Sequence, residues 1–136
     1  MTTDKKQMIA DEKQGLYSGL TYDIIGALYE VHKELGAVHK ENIYQEAVAI
    51  ELKLRNLPFE REKTLPVKFK GQKIGAYRPD FIVDEKVILE LKAVPAVTKE
   101  MLDQIYYYIR GTKYSLVLLA NFGTPKLTIK RRIYTK

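Results

Sequence analysis

Apolar residues recur at three- and four-residue steps from Thr21 onward. Ile24, Ile25, Leu28, Val31 and Leu35 form one stripe before Gly36 ends the run, which predicts an amphipathic helix with Thr21 as its N-cap. A second helix is predicted from about Glu41 to Asn56, with Ile43, Ala47, Ile50 and Leu54 as the inward stripe and Glu41 in the first turn. Beyond it the period shortens. Phe59 to Phe69 alternates imperfectly and reads as one strand, and Lys70-Gly71-Gln72-Lys73 supplies a turn into the next. Tyr77 to Val83 and Val87 to Val94 are strand-like runs, apolar on both faces, which belong in the buried middle of a sheet. Pro95 breaks the second run, Thr98 caps a third helix to about Arg110, and Gly111 closes it. Two last strands cover Tyr114 to Asn121 and Leu127 to Tyr134. The order ααβββαββ defines an α/β domain with a mixed central sheet. Residues 1–19, mixed in charge and without a period, read as a loose arm or a short irregular helix, and 20–136 as a single domain.

Chemistry concentrates in the middle of this pattern. If Asp84-Glu85-Lys86 is a three-residue turn, Val83 opposes Val87, Asp80 opposes Glu90, and Lys92 shares their face because side chains alternate with period two. Directly opposed Cβ atoms lie about 4.5–5.5 Å apart, so two carboxylates there repel unless a cation stands between them. That is the geometry of a divalent metal site with an ammonium beside it. A two-residue turn would instead set Asp80 against Leu91, and a plain charged strand pair, with Lys92 neutralising Glu90, fits the same spacing. Glu41 and Tyr44 are neighbours on one helix face, where a glutamate also complements the helix dipole and a tyrosine also packs its ring. Gln104 and Tyr108 share a face four residues apart, while Tyr106 and Tyr107 read as packing residues. His32 and His39, seven apart across a helix end, do not read as ligands. Lys130-Arg131-Arg132 suits either phosphate contact or a solvated edge strand.

Composition narrows the class of protein. The chain has 136 residues and no cysteine, which removes disulfide frameworks and thiolate zinc sites, and oxygen ligands favour magnesium or manganese. Lysine and arginine number 23 against 17 acids, a formal charge of +6 that favours a polyanionic partner. No apolar run approaches a membrane span, and the polar start Met1-Thr2-Thr3-Asp4 predicts no signal peptide, so the cytoplasm is the expected compartment.

Several segments, in order, carry a family resemblance: Glu41-Asn42-Ile43-Tyr44 followed by Ala47 to Leu52, Arg78-Pro79-Asp80-Phe81, Glu90-Leu91-Lys92-Ala93-Val94, Gln104 through Tyr108, and Leu118 to Gly123. Over about residues 20 to 134 the chain resembles the PD-(D/E)XK nuclease superfamily and, within it, the small GxxExxY branch. Val38 stands where that branch has the glycine three residues before Glu41. The resemblance implies a restriction-endonuclease-like core and a Mg²⁺- or Mn²⁺-dependent nuclease acting on phosphodiester bonds, in DNA. It further implies that Asp80 and Glu90 bridge the metal, with the Leu91 carbonyl as a further ligand and Glu41 as third acid; Glu46 and Glu51 are alternative candidates. Lys92 would orient or deprotonate the attacking water. Gln104 and Tyr108 look like a QxxxY pair that holds the nucleic-acid backbone, with Gln104 and Arg78 positioning the strand. Two other classes stay open: a nucleic-acid-binding module that does not cleave, and a regulatory homodimer that uses exposed tyrosines as its contact.

Overall fold

The computed structural model describes residues 15–135. Among these described residues, three helices and seven strands follow in the order α1 (Ser18–Leu35), α2 (Glu41–Leu54), β1 (Phe59–Arg61), β2 (Leu65–Phe69), β3 (Gln72–Tyr77), β4 (Phe81–Val83), β5 (Val87–Lys92), α3 (Lys99–Arg110), β6 (Leu116–Asn121) and β7 (Thr128–Ile133). Five strands make one mixed sheet in the order β1-β4-β5-β6-β7, in which only β5 and β6 run parallel. That parallel pair requires a crossover, and α3 provides it. The β2 and β3 strands form a separate two-stranded sheet.

Alternation along the central strands splits the core in two. Phe81, Val83, Val87, Leu89, Leu91, Leu118 and Ala120 pack against α1 and α2, whereas Ile82, Ile88, Val117 and Leu119 pack against α3 and the root of the β2–β3 hairpin. This is the layered α/β architecture with a mixed central sheet that the strand and helix pattern predicts, and it is consistent with the restriction-endonuclease-like core that the resemblance implies.

Local details depart from expectation where tertiary packing overrides sequence pattern. Two predicted strands are each divided, giving five strands between α2 and α3 rather than three. Glu62 takes a left-handed φ of 54° and separates β1 from β2, and Arg78-Pro79-Asp80 interrupts the ladder between β3 and β4. Thr21 is not an N-cap. It lies inside α1, buried, with its hydroxyl donating to the Tyr17 and Ser18 carbonyls, so the helix begins at Ser18, within the segment expected to be an arm; residues 1–14 of that arm lie outside the described residues. The largest correction concerns α2, which ends at Leu54 and buries Tyr44, Val48, Ala49 and Leu52. Ile43, Ile50 and Leu54, expected to face inward, are 42%, 61% and 71% exposed. Both sets satisfy helical spacing, and the sheet selects the one carrying the aromatic ring, which buries more apolar area.

Candidate active site

The three-residue turn predicted between β4 and β5 is present. Asp84 and Glu85 both adopt left-handed φ, 51° and 55°, and the Lys86 N–H donates to the Val83 carbonyl at 3.0 Å. The ladder pairs Val83 with Val87, Ile82 with Ile88 and Phe81 with Leu89, so one further step sets Asp80 opposite Glu90. Asp80 stands just outside β4, and side-chain bonds replace the backbone ladder there. Its N–H donates to Glu90 Oε1 at 3.0 Å, while the Leu91 N–H donates to Asp80 Oδ2 at 2.8 Å. Because backbone groups alternate sides along a strand, the Leu91 carbonyl points toward Asp80 as its N–H does. Pro79, opposite Leu91, has no N–H to offer that carbonyl.

Burial sets the electrostatics. Glu90 is 9% exposed, and desolvation pushes its carboxyl up to about 7; the Asp80 charge adds to the rise, and the donors Tyr77 and Asp80 N–H oppose it. Asp80 is raised too, first by burial, against the Leu91 N–H and the Lys92 charge. The Tyr77 hydroxyl donates to Glu90 Oε1 at 2.9 Å; burial, then the adjacent carboxylates, hold the phenol firmly protonated and so keep it a donor. Lys92, half-buried two residues beyond Glu90, lowers the carboxyls of Glu41, Asp80 and Glu90 alike. Among the described residues it closes no ion pair, so its charge is shared by the cluster and not spent on Glu90 alone.

Glu41 comes from the opposite layer. Its carboxyl is raised by partial burial and by Asp80, with Lys92 opposing, and it stands one residue removed from the acid pair. Gln45 fills the interval: its Nε2 lies 3.2 Å from Asp80 Oδ1 and 3.5 Å from Glu41 Oε1. Sequence reasoning passed over Gln45, although a position four residues after Glu41 on the same helix face was the available signal. Glu46 and Glu51 are turned away into ion pairs with Arg61 and Arg55. Tyr44 serves the site indirectly. Fully buried and stacked on Phe122 at 4.6 Å, it donates to the Gly36 carbonyl at 2.5 Å and accepts from the His39 N–H at 3.2 Å, pinning the loop that leads to Glu41. The left-handed position in that loop is Gly36, with φ of 69°, so exposed Val38 needs no glycine.

On the other side of the acids, α3 connects to them through aromatic stacking. Tyr108 lies flat on Tyr77 at 4.6 Å and 4°, and Gln104 Nε2 is 3.5 Å from the Tyr108 hydroxyl, forming a line from Gln104 through Tyr108 and Tyr77 to Glu90. Gln104 and Arg78 are exposed. Tyr107 is exposed as well, and Tyr106 packs edge-on against Tyr134. Neither histidine joins the acids: His32 Nε2 lies 3.0 Å from the Thr124 carbonyl oxygen, and His39 sits edge-on to Tyr44. Lys130, Arg131 and Arg132 line the edge strand β7.

The exit of β5 is tightly clamped. Asn121, 1% exposed, accepts from the Val94 and Gly123 N–H groups at 3.0 and 3.1 Å and donates to the Val94 carbonyl at 2.9 Å. A Cβ on Gly123 would lie 2.5 Å from the Val94 carbonyl oxygen and nearer still to its nitrogen. This clamp fixes the chain just after Lys92.

Among the described residues, no three histidine, cysteine or acidic side chains close around one point as a finished metal centre. Asp80 and Glu90 nevertheless fit a hard divalent cation. Their donors are oxygens, the Leu91 carbonyl points toward them, and two carboxyls held against desolvation are the groups a cation would compensate. Glu41 completes that set only if Gln45 yields its place.

This layered mixed sheet, carrying paired acids and a lysine at the end of a central strand, defines a nuclease-type fold. The family model of the PD-(D/E)XK nuclease superfamily matches residues 18–132, and the chain belongs to that superfamily. Its members are generally nucleases and usually use divalent metals. Among curated proteins and solved structures, none matches the chain. No described helix is long and apolar enough to cross a membrane.

Proposed function

We propose that this protein is a Mg²⁺- or Mn²⁺-dependent nuclease of the GxxExxY branch that hydrolyses phosphodiester bonds in DNA. The observation that carries the reading is the cross-bonded, desolvated pair Asp80 and Glu90 with Lys92 on the same face. Asp80, Glu90 and the Leu91 carbonyl would hold the metal, and Glu41 would enter its shell as Gln45 swings aside. Bound there, the ion supplies Lewis acidity to the phosphate and lowers the pKa of a nucleophilic water. Lys92, as an ammonium, would orient that water and offset the negative charge that builds on it as its proton leaves to solvent. Tyr77 holds the Glu90 carboxylate in one rotamer, while Arg78, Gln104 and Tyr108 position the strand. A second reading, a nucleic-acid-binding or dimeric regulatory module without cleavage, draws on the separation of Glu41 from the pair by Gln45.

The two readings part at Lys92. Lys92→Ala removes the group beside the attacking water, so cleavage of labelled DNA should fall about a hundredfold or more while affinity at fixed salt changes little. Collapse of binding, with no cleavage by the unmutated protein under Mg²⁺ or Mn²⁺, would establish the binding module instead.

A further inference from the structure

Helix α2 is apolar on both of its sides. One side, Tyr44, Val48 and Leu52, is buried against the sheet. The other carries Ile43, half-buried Ala47, Ile50 and Leu54, and its three large residues are exposed. At about 100° per residue these four fall within an arc of about 60°, roughly opposite the buried set, and their spacing is that of a coiled-coil seam. Exposed apolar residues scattered singly need no explanation, but three on one line of one helix form a strip that a partner would cover.

The strip is complementary to itself. A two-fold axis across the helix between Val48 and Ala49 sets Ile43 against Leu54 of a second copy and Ala47 against Ile50, so that a small residue meets a large one. Glu46 and Lys53, both exposed, stand on one flank of the strip. In an antiparallel pair the same flanks meet, and Glu46 of each copy comes level, within about 3 Å along the axis, with Lys53 of the other. Opposite charges are thus matched twice. A parallel pair would instead set Ala47 against Ala47, leaving a gap, and Glu46 against Glu51 of the other copy, a like-charge contact made twice.

Both charged groups are accessible for such a contact. Lys53 closes no ion pair among the described residues, and Glu46, which meets Arg61 at 2.6 Å, keeps 67% of its side chain exposed. Glu51, on the other flank, is held by its own Arg55 at 2.8 Å. Glu41 and Gln45 lie on the half of α2 turned away from the strip, so pairing leaves the acids out of the contact. One helix per copy offers far fewer than the roughly 20–30 residues per partner of a standard interface, which makes this a weak and concentration-dependent association.

We propose that the outer face of α2 is the contact of a two-fold homodimer, in which the Ile43-Ala47-Ile50-Leu54 strips of two copies pack antiparallel and Glu46 of each pairs with Lys53 of the other. The contact is independent of the nuclease reading and is tested without metal or nucleic acid. Sedimentation equilibrium of the full-length protein in EDTA, from about 1 µM to about 1 mM, should give a monomer–dimer equilibrium with a dissociation constant of roughly 10–100 µM. Ile50→Glu places a charge against Ala47 of each opposing copy and should weaken the dimer at least tenfold. Glu46→Lys and Lys53→Glu should each weaken it alone, because like charges then meet twice, whereas an equimolar mixture of the two, or the double swap in one chain, should dimerise as the parent does. These positions are exposed, so each variant should melt within a few degrees of the parent at about 1 µM, where the monomer prevails. A single monomer mass up to about 1 mM, or a dimer indifferent to Ile50→Glu, would overturn the proposal. Tightening by Glu46→Lys would mean a parallel pair and overturn the antiparallel contact, and a variant that loses its fold would contradict the exposed placement on which the contact rests.

Discussion

Glu90→Gln should make the metal-free protein more stable at pH 8 while abolishing cleavage. The carboxyl moves from 4.5 to about 7 on folding, with burial as the main cause and Asp80 second. A shift of roughly 2.5 units corresponds to about 3 kcal/mol at most. Its sign follows from proton uptake: between those two values the folded state binds more protons than the unfolded one. Stability is therefore complete below pH 4.5 and is lost as pH rises through 7. Glutamine keeps a carbonyl acceptor for the Tyr77 hydroxyl and the Asp80 N–H but carries no charge to desolvate. Urea unfolding at pH 5 and pH 8, in EDTA, reads the effect directly. The unmutated protein should lose up to about 3 kcal/mol over that interval and the variant much less, with Mn²⁺ at pH 8 restoring only the unmutated protein. Equal stability of the unmutated protein at both pH values, or a variant weaker than the parent at pH 8, would refute the desolvated pair.

Gly123→Ala should destabilise the fold by at least about 2 kcal/mol in chemical denaturation, because the new methyl group meets the Val94 backbone, which cannot retreat while Asn121 clamps it. On α2, Leu52→Ala should cost about 2–5 kcal/mol, since Leu52 is wholly buried, whereas Ile50→Ala should stay within about 0.5 kcal/mol. A reversed order would mean that α2 packs through the Ile43, Ile50 and Leu54 face.

Asp80, Glu90 and their turn were legible in the sequence because a strand's period of two converts a short spacing into a position on a face. The Thr98 cap was legible for a similar reason, its hydroxyl accepting from the Met101 N–H at 3.2 Å. The inward face of α2 was not: Tyr44, Val48 and Leu52 are spaced as regularly as Ile43, Ala47, Ile50 and Leu54, and only contact with the sheet distinguishes them. The break at Glu62 was equally hidden, because a left-handed non-glycine residue leaves no mark in composition. Gln45 reaches Asp80 across 35 positions, a distance no local pattern encodes.

That long reach has a consequence for how the site comes into being. Asp80 and Glu90 are brought together by one tight turn, and hairpins of this kind close in microseconds. Glu41 and Gln45 arrive only when the helical layer docks on the sheet, a step that closes a long loop and carries its entropy cost. A partly folded chain can thus hold two of its acids without the third. For the nuclease proposed above, the complete acid set would exist in the cooperative native state alone, so that an emerging or fraying chain would be disarmed by its own topology.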